Sequence, residues 1–112
     1  MSKPTVEPIG ETEHLVLLAV LRLQPAAYGV PIIEEIERRT GKELARPAVY
    51  IALSRLEEKG MLASRLSDPT PERGGRAKRY FHVSDIAIPI LRERRRGLLN
   101  MWRGLEGILA SR

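Results

Sequence analysis

The residues of this chain best suited to chemistry at a surface are cations and small apolar groups, not nucleophiles. Arg46, Ala48, Tyr50, Ile51 and Ser54 lie in one short stretch, and Arg73, Arg76, Lys78 and Arg79 lie in a second around Gly74-Gly75. Cationic side chains that meet phosphates release the counterions condensed on them. Arginine, hydroxyl and apolar groups are also the kinds that read base edges in a major groove. A DNA duplex is the partner this set fits. No Ser/His/Asp or Cys/His arrangement and no glycine-rich loop following a strand accompanies them, so an enzyme is not expected.

The bulk properties agree. The chain has 112 residues, a net charge of +5 and no cysteine. That length makes one domain with a modest core, and the charge favours a polyanionic partner. His14 and His82 are far apart and neither has a ligand-spaced companion, so no metal and no cofactor are expected. Their expected places are the surface or the packing. The apolar run Leu15–Leu21 is too short to span a bilayer, and residues 1–10 lack the build of a signal peptide. A cytoplasmic protein without a membrane partner is therefore expected.

The elements that must position these groups can be read from periodicity and punctuation. Residues 1–10 form a flexible arm, with two prolines and a glycine. A first helix spans 11–23, with Glu11 and Glu13 at its positive end and an apolar centre that should be buried on more than one side. Pro25 stops it. A second helix covers about 30–40 and ends at Gly41.

The third helix starts near Arg46-Pro47 and ends at Gly60. Val49, Leu53 and Leu56 form its core stripe, and Pro47, Ile51, Ser54 and Arg55 face outward, flanked by Ala48 and Tyr50. An outward isoleucine calls for something to cover it. Strands at 61–66 and 77–83 enclose the basic loop. The fold class is mainly α (α+β): a winged helix-turn-helix over 11–84, with a two-stranded wing and a C-terminal dimerisation helix over 85–112.

That last helix is expected to run on from Ser84 or Asp85 without a break. Leu91, Leu98, Trp102, Leu105 and Leu109 recur as a seam, widened by Met101 and Ile108. Gly97, Gly104 and Gly107 each weaken it by about 1 kcal/mol relative to alanine, so it should be ordered only when covered. A second copy of the chain would cover it, helped by Leu15 and Leu18 of the first helix. Arg92, Arg94, Arg95 and Arg96 read as a solvated face.

Individual side chains keep two readings each. Arg46 fits a guanine edge or a backbone phosphate. Ala48 and Ile51 fit thymine methyls. Tyr50 is either a half-buried aromatic or a hydroxyl donor to phosphate, Tyr28 either abuts the DNA backbone or packs inside, and Arg55 either pairs within the chain or binds DNA. Lys78 and Arg79 point to opposite sides of a strand, so they cannot serve a duplex equally, and Arg76 at the loop end is better placed. Trp102 is either dry packing or an aromatic plate for a small flat effector.

Tyr28-Gly29, Ala48-Val49-Tyr50, Leu53-Ser54-Arg55-Leu56-Glu57, Gly60 and Gly74-Gly75-Arg76-Ala77-Lys78-Arg79-Tyr80-Phe81 together resemble the PadR family of transcriptional regulators. The form resembled is the short one, with a single C-terminal helix, over roughly residues 12–110. The resemblance implies a homodimeric winged-helix repressor that binds double-stranded DNA, with the last helix at the dimer interface and often a small-molecule response. Ala45 departs from the family pattern, which commonly has a serine or threonine cap there. Ser84-Asp85-Ile86-Ala87 stands where the family often has Thr-x-x-Gly. The competing class is a winged-helix module that binds protein or RNA without a transcriptional role, since fold alone does not fix function.

Overall fold

Glu13 determines where the first helix can begin. Its carboxylate reaches back to accept the Gly10 backbone N–H at 2.8 Å, satisfying one of the donors that a helix start leaves open. The computed structural model describes residues 9–68 and 77–110. Within it α1 spans Glu11–Leu23 and α2 Gly29–Thr40. The helix α3 spans Arg46–Glu58, β1 Leu62–Leu66 and β2 Arg79–Val83. The chain ends in α4, Ala87–Trp102, and a short α5, Glu106–Ala110.

The core is built where the apolar periodicity places it. Val16, Leu17, Ala19 and Val20 of α1, Ile32, Ile33 and Ile36 of α2, and Val49, Ala52, Leu53 and Leu56 of α3 are all buried. Each fully buried aliphatic side chain contributes about 1.5–3 kcal/mol. The helix α1 is buried on more than one side, though Leu18 in its middle is exposed. Gly41, at φ 73°, closes α2 in the left-handed conformation that glycine adopts freely. Gly60, at φ 78°, does the same between α3 and β1.

The wing is an antiparallel pair whose register sets Leu62 opposite Val83, Ser64 opposite Phe81 and Leu66 opposite Arg79. Phe81 is its buried anchor. Ala27 extends the sheet on the other edge, where its carbonyl accepts the Phe81 N–H at 2.8 Å. The segment between α1 and α2 is thereby tied to the wing, an arrangement periodicity does not reveal.

One expectation is overturned. The C-terminal segment is not a single continuous helix: α4 ends at Trp102, and Gly104 at φ 90° turns the chain before α5. The turn is held by Leu105 N–H donating to the Trp102 carbonyl and by Gly104 N–H donating to the Glu106 carboxylate, 2.8 and 2.9 Å. Neither Ser84 nor Asp85 caps α4 by its side chain; Ile86 occupies the cap position, and Ala87 N–H bonds the Ser84 carbonyl instead. Pro89 lies in the first turn, where its missing N–H costs nothing. No helix among the described residues is long and apolar enough to cross a membrane.

Candidate nucleic-acid interface

The inward stripe of α3 forces its other residues out. With Val49, Leu53 and Leu56 in the core, Arg46, Ala48, Tyr50, Ile51, Ser54 and Arg55 are all exposed, Ile51 at 52%. Ala45 caps the helix with no side-chain hydrogen bond, so Pro47 in the first turn is the local start signal. Among the described residues, the side chains of Arg46 and Arg55 make no ion pair or hydrogen bond. For Arg55 an intramolecular ion pair is therefore absent among the described residues. Its positive charge acts only at a distance, helping to keep Glu13 ionised.

The wing presents a layer of alternating rings and cations. Tyr28 and Tyr80 meet edge to face with centroids 5.6 Å apart. Arg65 lies over Tyr80 at 4.9 Å and the Lys78 ammonium over Tyr28 at 4.2 Å. A cation over a ring face is held electrostatically by the ring quadrupole. Tyr28 is half-buried: it packs on Tyr80 and still borders the surface. Lys78 is fixed further through its backbone, which exchanges hydrogen bonds with Ser67. Arg73 and Arg76 lie outside the described residues.

Between α3 and the wing runs a cleft of about 440 Å³ whose lining includes Tyr28, Gly29, Tyr50, Ser54, Lys78 and Arg79. Gly29 is there for space. A Cβ at that position would stand 2.6 Å from Cζ and 2.8 Å from Cε1 of Tyr50, so the phenol can lie across the start of α2 only over a glycine. Lys78 and Arg79 part company as alternation requires. Lys78 covers Tyr28, while Arg79 donates to the Ser64 hydroxyl at 2.8 Å, and that hydroxyl donates to Glu57 at 2.5 Å. In the sequence Glu57 and Tyr80 stand only as parts of the family pattern, and Ser64 and Arg65 have no assigned role. Arg65 and Tyr80 become partners only once the strand register is known.

Residues 17–86, more than half of the chain, match the Transcriptional regulator PadR-like family. The chain belongs to that family. Solved structures agree on the fold of this PadR-like protein. A PadR family regulator from Eggerthella lenta is 24% identical, with 88% of this chain and 83% of that one covered, at a TM-score of 0.66. One from Clostridium difficile is 22% identical, with 91% and 97% covered, at 0.64. A PadR-like regulator from Bacillus cereus is 16% identical, with 87% and 89% covered, at 0.68. Among curated proteins none matches in sequence.

The second surface of the PadR-like chain lies on α4 and α5. Leu91 is buried in the protomer's own core, and Leu15 is half-buried against that core. Leu18, Leu98, Met101, Trp102, Leu105 and Leu109 are exposed, joined by Leu99 and Ile108. A groove of about 700 Å³ between α1 and α4 is lined by His14, Leu18, Leu91, Leu98 and Trp102, with Arg92 and Arg95 at its edge. Arg94 donates to His14 Nδ1 at 3.4 Å. Burial first, and the nearby Arg94 charge second, hold the His14 imidazole below its ordinary value.

Proposed function

We propose that this PadR-like regulator binds double-stranded DNA as a homodimeric repressor, with α3 in the major groove and the wing on the neighbouring backbone. The observation that carries the reading is the outward face of α3. It offers Arg46 and Arg55 without partners among the described residues and an exposed Ile51, beside a wing whose cations are ordered on tyrosines. A buried protein interface would deplete charge at its centre, whereas a groove reader combines cations with apolar contacts to thymine methyls. In this reading Arg46, Ala48 and Ile51 face base edges. Tyr28, Tyr50, Ser54, Lys78 and Arg79 meet the backbone, together with Arg73 and Arg76 of the loop.

The dimer reading is supported by the apolar face of α4 and α5, which a second copy covers across a two-fold axis. Two symmetric α3 helices then call for a palindromic operator with half-sites about one helical turn (~10 bp), or a multiple, apart. The work is binding, not catalysis, and its place is the cytoplasm, where the chromosome is. Purified protein used to capture genomic fragments, followed by sequencing, tests the whole: an inverted repeat is expected. Fragments without dyad symmetry would refute the dimeric operator, and capture of no DNA would refute the function.

A further inference from the structure

We propose that Glu57 is a positioning residue for DNA binding, which acts through the Ser64 hydroxyl to hold Arg79 and the wing at a fixed angle to α3. The inference rests on the DNA-binding reading above and adds how the two halves of that surface are kept in register. Glu57 lies one turn after Leu53 on α3, half-buried, on the side that meets the wing. Its Oε2 accepts from Ser64 Oγ at 2.5 Å, and Ser64 Oγ accepts from Arg79 Nη1 at 2.8 Å. The direction of the chain of bonds follows from chemistry. A carboxylate only accepts and a guanidinium only donates, so the single hydroxyl proton goes to Glu57 and the oxygen lone pair to Arg79. Both bonds are assisted by charge.

Position makes this link more than a local contact. Between α3 and β1 the backbone turns at Gly60 in a left-handed conformation, a joint with no side chain of its own. Ser64 stands opposite Phe81 and Arg79 opposite Leu66, so Arg79 is diagonal to Ser64 at the end of β2 nearest the loop. The relay therefore ties the loop end of the wing back to the last turn of α3. Arg79 has five N–H donors and gives one to Ser64, so the guanidinium is oriented by the relay without being consumed by it. Among the described residues Glu57 and Arg79 form no direct ion pair, and the hydroxyl is the connection between them.

The test turns on a sign. If Glu57 were only a negative charge near DNA, removing it would tighten binding, and Glu57→Ala and Glu57→Gln would do so equally. The relay predicts the opposite. Full-length protein is titrated onto a fluorescein-labelled duplex of about 30 bp, three helical turns, at low salt and followed by anisotropy. Glu57→Ala and Ser64→Ala are each expected to weaken binding about tenfold, the worth of one charge-assisted hydrogen bond. Glu57→Gln, which keeps an acceptor for Ser64, should bind more tightly than Glu57→Ala. The Glu57→Ala/Ser64→Ala double variant should be no weaker than either single one. Should Glu57→Ala unfold, Ser64→Ala tests the same link from the wing side. Tighter binding by Glu57→Ala, equal behaviour of the Ala and Gln variants, or additive losses in the double variant would overturn the relay while the wild type still binds. A wild-type protein that binds no duplex overturns the DNA-binding reading itself.

Discussion

The surface of α3 with the wing and the surface of α4 with α5 both expose apolar side chains, but they dress them differently. On the first, Ile51 stands among arginines and hydroxyls, and the wing cations are ordered by Tyr28, Tyr80 and Ser64. On the second, Leu98, Leu99, Met101, Trp102, Leu105, Ile108 and Leu109 follow one another, and Met101 is 75% exposed. Contiguous apolar exposure on this scale marks an association surface, whereas one apolar group among cations marks a surface built for a charged, wet partner. The family match ends at residue 86, just before α4. The solved relatives extend past that point, one of them covering 91% of this chain, so the fold they share includes part of the second surface as well as the first.

The largest expected effect breaks the second surface and leaves the first intact. Leu98→Asp with Leu105→Asp places carboxylates on exposed positions, so the protomer should stay folded while the apolar face is spoiled. Sedimentation is expected to show a dimer for the wild type and a monomer for the double variant. Affinity for a duplex with two half-sites should fall by about 100-fold or more, because the two α3 helices no longer bind as a linked pair. Affinity for a single half-site should barely change. A double variant that remains dimeric would move the interface elsewhere.

A smaller effect is expected from a change inside the first surface. Gly29→Ala improves helix propensity yet puts a methyl group into the Tyr50 ring. Tyr50 must swing away from the start of α2, and DNA binding should weaken about tenfold, one to two polar contacts' worth. Thermal stability should change little. The diagnostic is Gly29→Ala combined with Tyr50→Ala, which should bind no worse than Tyr50→Ala alone. Additive losses would mean that Gly29 matters for a reason other than Tyr50.

These two changes also show what the sequence discloses and what it withholds. The start and end of α1, the closure of α2 at Gly41 and of α3 at Gly60, and the buried stripe of α3 follow from local punctuation and a 3.6-residue period. Such signals act within one turn of the chain. The break at Gly104 was not legible, because Gly97, Gly104 and Gly107 carry the same propensity cost. Gly97 stays inside α4, Gly107 inside α5, and only Gly104 takes a positive φ. The Glu57–Ser64–Arg79 relay and the Tyr28–Tyr80 pair were invisible for a different reason. They depend on strand register and on Ala27 joining the sheet, which are set by tertiary packing.

Trp102 sharpens the comparison without breaking it. At 48% exposure in the protomer it borders the groove between α1 and α4, so covering by a second copy should shift its emission to shorter wavelength as concentration rises through the dimer constant. A small flat aromatic effector is the competing occupant. Such a compound would quench the emission and, if it regulates, would change operator affinity by the same factor by which operator changes its own. Quenching with no such reciprocity would identify a binder without a regulatory role. No shift on dilution would place the indole outside the interface.

The smallest effect expected is in how two residues of α1, one beside the second surface and one away from it, respond to acid. His14 lies beside the α4 groove with Arg94 as its neighbour, and its folded pKa is held below the ordinary value of 6.5. A histidine of this kind binds its proton more readily unfolded, so stability is full above 6.5 and declines as pH falls through the folded value. Glu13 behaves differently. Burial pushes its carboxyl up, but the Gly10 N–H, the Lys59 ammonium at 2.9 and 3.1 Å and the Arg55 charge together hold it below 4.5. A carboxylate with a depressed pKa stabilises the fold above its unfolded value and loses that contribution only as pH falls below 4.5. Melting temperature followed from pH 7 downward should therefore drop in two steps. His14→Gln should remove the upper step and leave the lower. Glu13→Gln should leave the upper and reduce the lower, to which Glu11 and Glu35, also held below 4.5 by Lys42 and by Arg39 and Arg38, contribute. If His14→Gln leaves the fall just below 6.5 in place, the histidine is not what makes the groove side sensitive to acid.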